Sequence, residues 1–243
     1  MAAAFAEVNV QGGPGQQVIN MLRNDPTRFV AQTSAVSGGS SATAYSNMMT
    51  GVIRDYAHAT NAYPGTPYSA TANSGFLDTV TFSGGIGQMA YVDYFFDGSL
   101  ALNNIPTPYA TYGQLLVFIG SSFANIMLTA DRGNCGGGTL LADCTVGTSV
   151  NKQGSLAFAI PAGSMSFGVS LTAYAQYGNT AEFSNTAGIY IRTPDGVSYT
   201  SSSGQFLNQA APIFATAVPE PESYMLMLAG LGAMALMARR RRR

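Results

Sequence analysis

The feature that most constrains this chain is the run Met165–Gln176, where the residue type changes at every step. Met165, Phe167, Val169, Leu171, Ala173 and Ala175 alternate with Ser166, Gly168, Ser170, Thr172, Tyr174 and Gln176. Successive side chains of a β-strand point to opposite faces, so such a run suits a sheet with one packed face and one wet face. Wound as a helix, the same residues would spread apolar groups around the whole cylinder. The same period returns from Gly75, where Leu77, Thr79 and Thr81 alternate with Phe76, Asp78, Val80 and Phe82. It returns again in Met89–Phe96, where Ala90, Val92, Tyr94 and Phe96 share a face.

Further strands are predicted over Leu115–Ile119 and Phe123–Ala130, joined by Gly120-Ser121-Ser122, then around Leu156, Phe158 and Ile160, at Ile189 and Ile191, and over Val197–Thr200. Strands about 8–12 residues apart with Gly/Pro turns predict an all-β fold, an antiparallel β-sandwich or jelly-roll-like body. Four stretches carry other expectations. Gln16–Met21 reads as a weak helix stopped by Asn24-Asp25-Pro26, and Ala42–Ala57 fits helix or strand. His58–Ser74 reads as loop with a short edge strand, and Asp97-Gly98 as a turn.

The end of the chain follows different physics. Val218, Pro219, Glu220, Pro221 and Glu222 form a strip in which two prolines fix φ and remove two donors, so it reads as extended and accessible. An uncharged stretch follows, Tyr224 to Ala238. Its residues are Met225, Met227, Met234 and Met237, Leu226, Leu228, Leu231 and Leu236, Ala229, Ala233 and Ala235, with Gly230 and Gly232 between them. Met, Leu and Ala are strong helix formers, and such a helix spans about 22 Å against a hydrocarbon core of roughly 30 Å. Tyr224 at one interface and snorkelling arginine stems at the other cover the shortfall. Arg239, Arg240, Arg241, Arg242 and Arg243 close the chain and predict a cytoplasmic C-terminus by the positive-inside rule. A buried core helix would need an amphipathic pattern, and this stretch is apolar all round; a permanent tail anchor is a third reading.

Pro219-Glu220-Pro221, the apolar helix and the arginine cluster together resemble the PEP-CTERM sorting signal of Gram-negative bacteria. The resemblance covers about a tenth of the chain. It implies processing by exosortase, a membrane-embedded cysteine-type enzyme, and release to the cell surface or extracellular matrix. Asn185-Thr186-Ala187, Pro194-Asp195-Gly196-Val197 and Ser203-Gly204-Gln205-Phe206 resemble, less specifically, the last strands of many proteins of that family. The resulting division is residues 1–6 as a signal-peptide remnant, 7–208 as the body, 209–217 as a linker and 218–243 as the sorting signal.

Charged residues are only 9% of the chain. Asp, Glu, Lys and Arg usually make up about a quarter, so this composition suits an exported, polar-surfaced protein. The formal net charge of −1 conceals the arginine tail: Met1–Val218 holds six cations and ten acids, a net of −4. A body so short of cations predicts no nucleic-acid binding. The only cysteines, Cys135 and Cys144, lie in a Gly-rich stretch and are expected to form a disulfide in an oxidising compartment. Zinc would need about four ligands, which the sequence does not cluster. The opening Met1–Val8 lacks a basic n-region and a full apolar run, yet Ala4-Phe5-Ala6 has the form of a signal cleavage site, so the true start is expected upstream.

No catalytic constellation is legible, and the expectation is a non-enzyme. His58 is the only histidine and no nucleophile-elbow motif accompanies it. Asp93 and Asp97 lie four apart, which is no glycosidase signature. No cofactor is expected; calcium at Asp93, Asp97 or Asp131 is the alternative, without EF-hand spacing behind it. The competing reading is a carbohydrate-binding module using loop tyrosines Tyr63, Tyr68, Tyr109 and Tyr112; the chain has no tryptophan. Less weight falls on a secreted hydrolase. The partners expected are an exosortase-type enzyme, the membrane before processing, and exopolysaccharide of a surface or biofilm matrix.

Overall fold

The computed structural model describes residues 2–12, 17–22, 29–60, 68–103, 111–130 and 143–208. These form fourteen strands, numbered along the chain, in two sheets. Sheet A runs β10 (Asp143–Val146), β9 (Ser122–Thr129), β8 (Tyr112–Ile119), β12 (Ser164–Gln176), β6 (Ser69–Ser83), β1 (Ala3–Gln11), β2 (Gln17–Leu22). An eighth strand, β14 (Ser198–Ser201), pairs with Val80–Ser83 of β6, beyond the stretch Ser69–Leu77 that β1 occupies. Sheet B runs β11 (Ser149–Ala159), β7 (Met89–Ala101), β13 (Thr180–Arg192), β5 (Val52–His58), β4 (Ser40–Asn47), β3 (Val30–Ser37).

The alternating runs fall where their period requires. In β12, Phe167, Val169, Leu171, Ala173 and Ala175 are buried between the sheets. β6 turns Ala70, Ala72, Phe76 and Val80 to the same core, and β5 contributes Ile53 and Ala57. Strands β4 and β5 of sheet B pack on β6 of sheet A, giving two layers around one core. Among the described residues, a polar link ties the sheets together at each open side. Asn20 Nδ2 of edge strand β2 donates to the Ser34 carbonyl of edge strand β3 at 2.7 Å. On the other side, Lys152 of β11 pairs with Asp143 of β10.

Several expectations are corrected. Gln17–Leu22 is strand, because β1 offers it a partner from Gln11↔Gln17 to Ala6↔Leu22. Ala42–Ala57 is a hairpin, β4 and β5 around the turn at 48–51. β6 begins at Ser69, inside the stretch read as loop. Asp97-Gly98 is no turn, since β7 continues to Ala101. A glycine is needed there because a Cβ on Gly98 would lie 2.2 Å from the Phe183 ring. The sandwich is not wholly antiparallel: β10 runs parallel to β9. The 13 residues between Thr129 and Asp143 give the length of about a dozen that a parallel return requires. Ala3–Ala6 open β1, with Ala4 and Ala6 buried.

One core residue was not anticipated. Asp55 of β5 is buried, beside Ala44 of β4 and Phe183 of β13. Neither its carboxylate oxygens nor the buried Ser74 hydroxyl of β6 has a hydrogen-bond partner among the described residues. Burial pushes the Asp55 carboxyl well above the ordinary carboxylate range.

Candidate functional site

The processing strip Val218–Glu222, the apolar segment Tyr224–Ala238 and Arg239–Arg243 lie outside the described residues, as does the linker 209–217. Among the described residues no helix is long and apolar enough to cross a membrane. What the structure does show is how the body ends just before the linker. Buried Asp78 accepts hydrogen bonds from the hydroxyls of Ser202, at 2.6 Å, and Ser203. Ser203 Oγ in turn accepts from the Gln205 and Phe206 backbone amides. This places Phe206 in an aromatic nest, 4.6 Å from the Phe167 ring centre, 5.9 Å from Phe76 and 6.5 Å from Tyr199. Burial pushes the Tyr199 hydroxyl pKa up to about 12. Leu207 is buried and donates its backbone amide to the Met48 carbonyl at 3.0 Å. The last described residues are therefore clamped by polar and apolar contacts together.

The other residues singled out in the sequence do not converge. His58 lies in β5, where its Nδ1 is 2.9 Å from Thr180 Oγ1, a strand-to-strand contact with no acid–base chain behind it. Asp131 and Cys135 lie outside the described residues, while Cys144 sits in β10. Tyr63 and Tyr109 are also outside them. Tyr68 packs against the core, and Tyr112 lies on β8 with its ring 5.3 Å from that of Tyr174 on the outer face of sheet A. No group of three or more His, Cys, Asp or Glu side chains suited to a metal ion occurs among the described residues.

Asp93 and Asp97 point to the outer face of sheet B and have separate surroundings. Asp93 is buried and receives Arg192 through Nε at 2.8 Å and an Nη at 3.0 Å, with the Ser155 hydroxyl at 2.5 Å. The Arg192 guanidinium lies over the Tyr91 ring at 4.4 Å, and the Asp93 hydrogen bond raises its pKa. Farther along the same face, Arg54 lies over the Tyr45 ring at 5.7 Å. Two depressions flank β13 there. One, of about 310 Å³, is lined by Asp97, Ser99, Ser149, Asn151 and Glu182. The other, of about 380 Å³, is lined by Gln32, Thr43, Tyr45, Arg54 and Ser184. Between them β13 carries a bulge: Glu182 pairs with Ser99 and Ala187 with Phe96, so β13 has two more residues than β7 over this interval. Sequence reasoning missed this face because its residues come from six strands scattered from Gln32 to Ser184.

No curated protein and no solved structure matches the chain. Its C-terminal 27 residues, 217–243, match the family model for the PEP-CTERM protein-sorting motif. The match spans the proline strip, the apolar segment and the arginine cluster in one piece, so the chain carries a PEP-CTERM protein-sorting motif at residues 217–243.

Proposed function

We propose that this chain is a substrate of a sorting machine and does its work outside the cell as a structural or interaction protein. The sorting motif at 217–243 supports an exosortase-type export route, through the membrane to the cell surface or beyond. In the mechanism inferred here, Arg239–Arg243 stop translocation on the cytoplasmic side. Tyr224–Ala238 holds the protein in the inner membrane as a helix, and Pro219–Pro221 is presented to the processing enzyme. After cleavage the β-sandwich body is delivered to a matrix of exopolysaccharide. It needs no cofactor and catalyses no reaction. Cys135 and Cys144 close a disulfide there, a reading supported by the oxidising compartment that export implies.

The observation that carries the proposal is the motif match at 217–243. The clamp at Asp78, Ser203 and Phe206 supports it, because the body closes upon itself before the segment to be removed. The test replaces Pro219 and Pro221 by alanine and follows the C-terminal mass of the protein recovered from cells and medium. The expected result is an uncut chain retained in the membrane fraction. Unchanged mature mass together with unchanged surface delivery would overturn the proposal.

A further inference from the structure

We infer that the outer face of sheet B carries a polysaccharide-binding groove that crosses the strands at the β13 bulge. The inference rests on the exopolysaccharide reading above and assigns it a site. The register sets its course. Asn151 of β11 lies opposite Asp97 of β7. On the far side of the bulge, Arg54 of β5 lies opposite Tyr45 of β4, and Tyr45 opposite Gln32 of β3. The two depressions therefore occupy one cross-strand row, with the irregular stretch of β13 between them. Six strands at a spacing of about 4.8 Å give a track roughly 24 Å long. A bulge bends its strand and re-aims side chains, and here it separates the two depressions.

The chemistry of the track selects the ligand class. Gln32, Arg54 and Asn151 offer planar donors, Asp97 offers acceptors, and the Arg54 guanidinium, resting over the Tyr45 ring, is the planar group turned outward. A chain of hydroxylated rings needs this mixture: many modest hydrogen bonds and a flat surface for the ring faces. A protein partner would need a buried apolar or aromatic anchor at its centre. None of the exposed large hydrophobic side chains, such as Val36, Met89, Leu77 or Phe123, lines either depression. A nucleic acid would meet Asp97 and Glu182 with only Arg54 to neutralise phosphate along the track.

The test is affinity electrophoresis of the full-length protein, in mild detergent, through gels containing exopolysaccharide purified from the producing cells. Three variants are compared with the unaltered chain. These are Gln32→Ala with Arg54→Ala, Asn151→Ala at the opposite end, and a control pair on the outer face of sheet A, Thr71→Ala with Gln11→Ala. All substituted positions are at the surface, and circular dichroism melting confirms folding. The expected result is retardation of the unaltered chain and the control. The apparent Kd of the Gln32/Arg54 variant should rise about tenfold, and that of Asn151→Ala about threefold. Retardation equal in all four proteins would overturn the groove and leave exopolysaccharide as a partner bound elsewhere. No retardation of the unaltered chain would overturn both.

Discussion

The two ends of the sandwich core are built from different materials. At one end Phe76, Phe167, Phe206 and Tyr199 meet ring to ring, and Phe82 bridges Tyr199 to Phe158. At the other, alanine faces alanine: Ala72 pairs with Ala173, Ala70 with Ala175, and Ala57 with both Ala42 and Ala181. A buried aromatic side chain removes about 150–250 Å² from water, and an alanine methyl is worth only about 0.8 kcal/mol. The aromatic end is thus held by burial. The alanine end has little to bury and depends on close approach of the sheets, with Phe183 wedged where a Cβ on Gly113 would lie 1.9 Å from its ring. Asp55 lies at this alanine-rich end of the core, beside Ala44 and Phe183.

The largest expected effect breaks the aromatic end. Phe206→Ala should cost about 3–5 kcal/mol, read as a fall in thermal midpoint of roughly 10 °C. A loss below about 1 kcal/mol would mean that the clamp before the linker is held by its serines alone. At the alanine end the opposite change is harmful. Ala173→Leu should destabilise by about 1–3 kcal/mol through overpacking, and a gain in denaturant midpoint would instead reveal unfilled space.

Asp55 gives the comparison a pH dependence. Its folded pKa is raised, so the native state holds the proton more tightly than the unfolded chain. The stabilising contribution is full below the ordinary value of 3.8 and is lost as pH rises through the raised native value. Over that window stability should fall by about 1.4 kcal/mol per pH unit, and Asp55→Asn should flatten the slope. Superimposable urea midpoints of the two proteins across pH 4 to 7 would sink this account. The smallest effect is at the surface. Arg54→Ala should move stability by less than about 0.5 kcal/mol, which separates its binding role from any structural one.

Much of this architecture was legible residue by residue. The alternation of Met165–Gln176 and of Phe76–Phe82 assigned the inward faces of β12 and β6, because a strand's two faces are fixed by its own pleat. Other parts were not legible. Gln17–Leu22 has no strong period of its own and is a strand because β1 lies beside it. Asp97-Gly98 carries the composition of a turn, yet a distant phenylalanine requires that glycine in mid-strand. The tyrosines of Pro-rich stretches drew attention as sugar platforms, while the row from Asn151 to Gln32 left no mark in sequence, since pairing partners far apart in the chain share no local pattern.

The amino-acid order by itself determined the β character of the body and the sorting signal at its end. Both are properties of consecutive residues: a period of two in the first, and in the second a proline strip, an apolar stretch and a cationic stop. Tertiary structure alone decided that Asp55 faces the core, that β10 returns parallel to β9, and that six strands lay one polar row across an outer face. Each of these depends on which segment becomes whose neighbour, and that choice is made by the packing of the two sheets together.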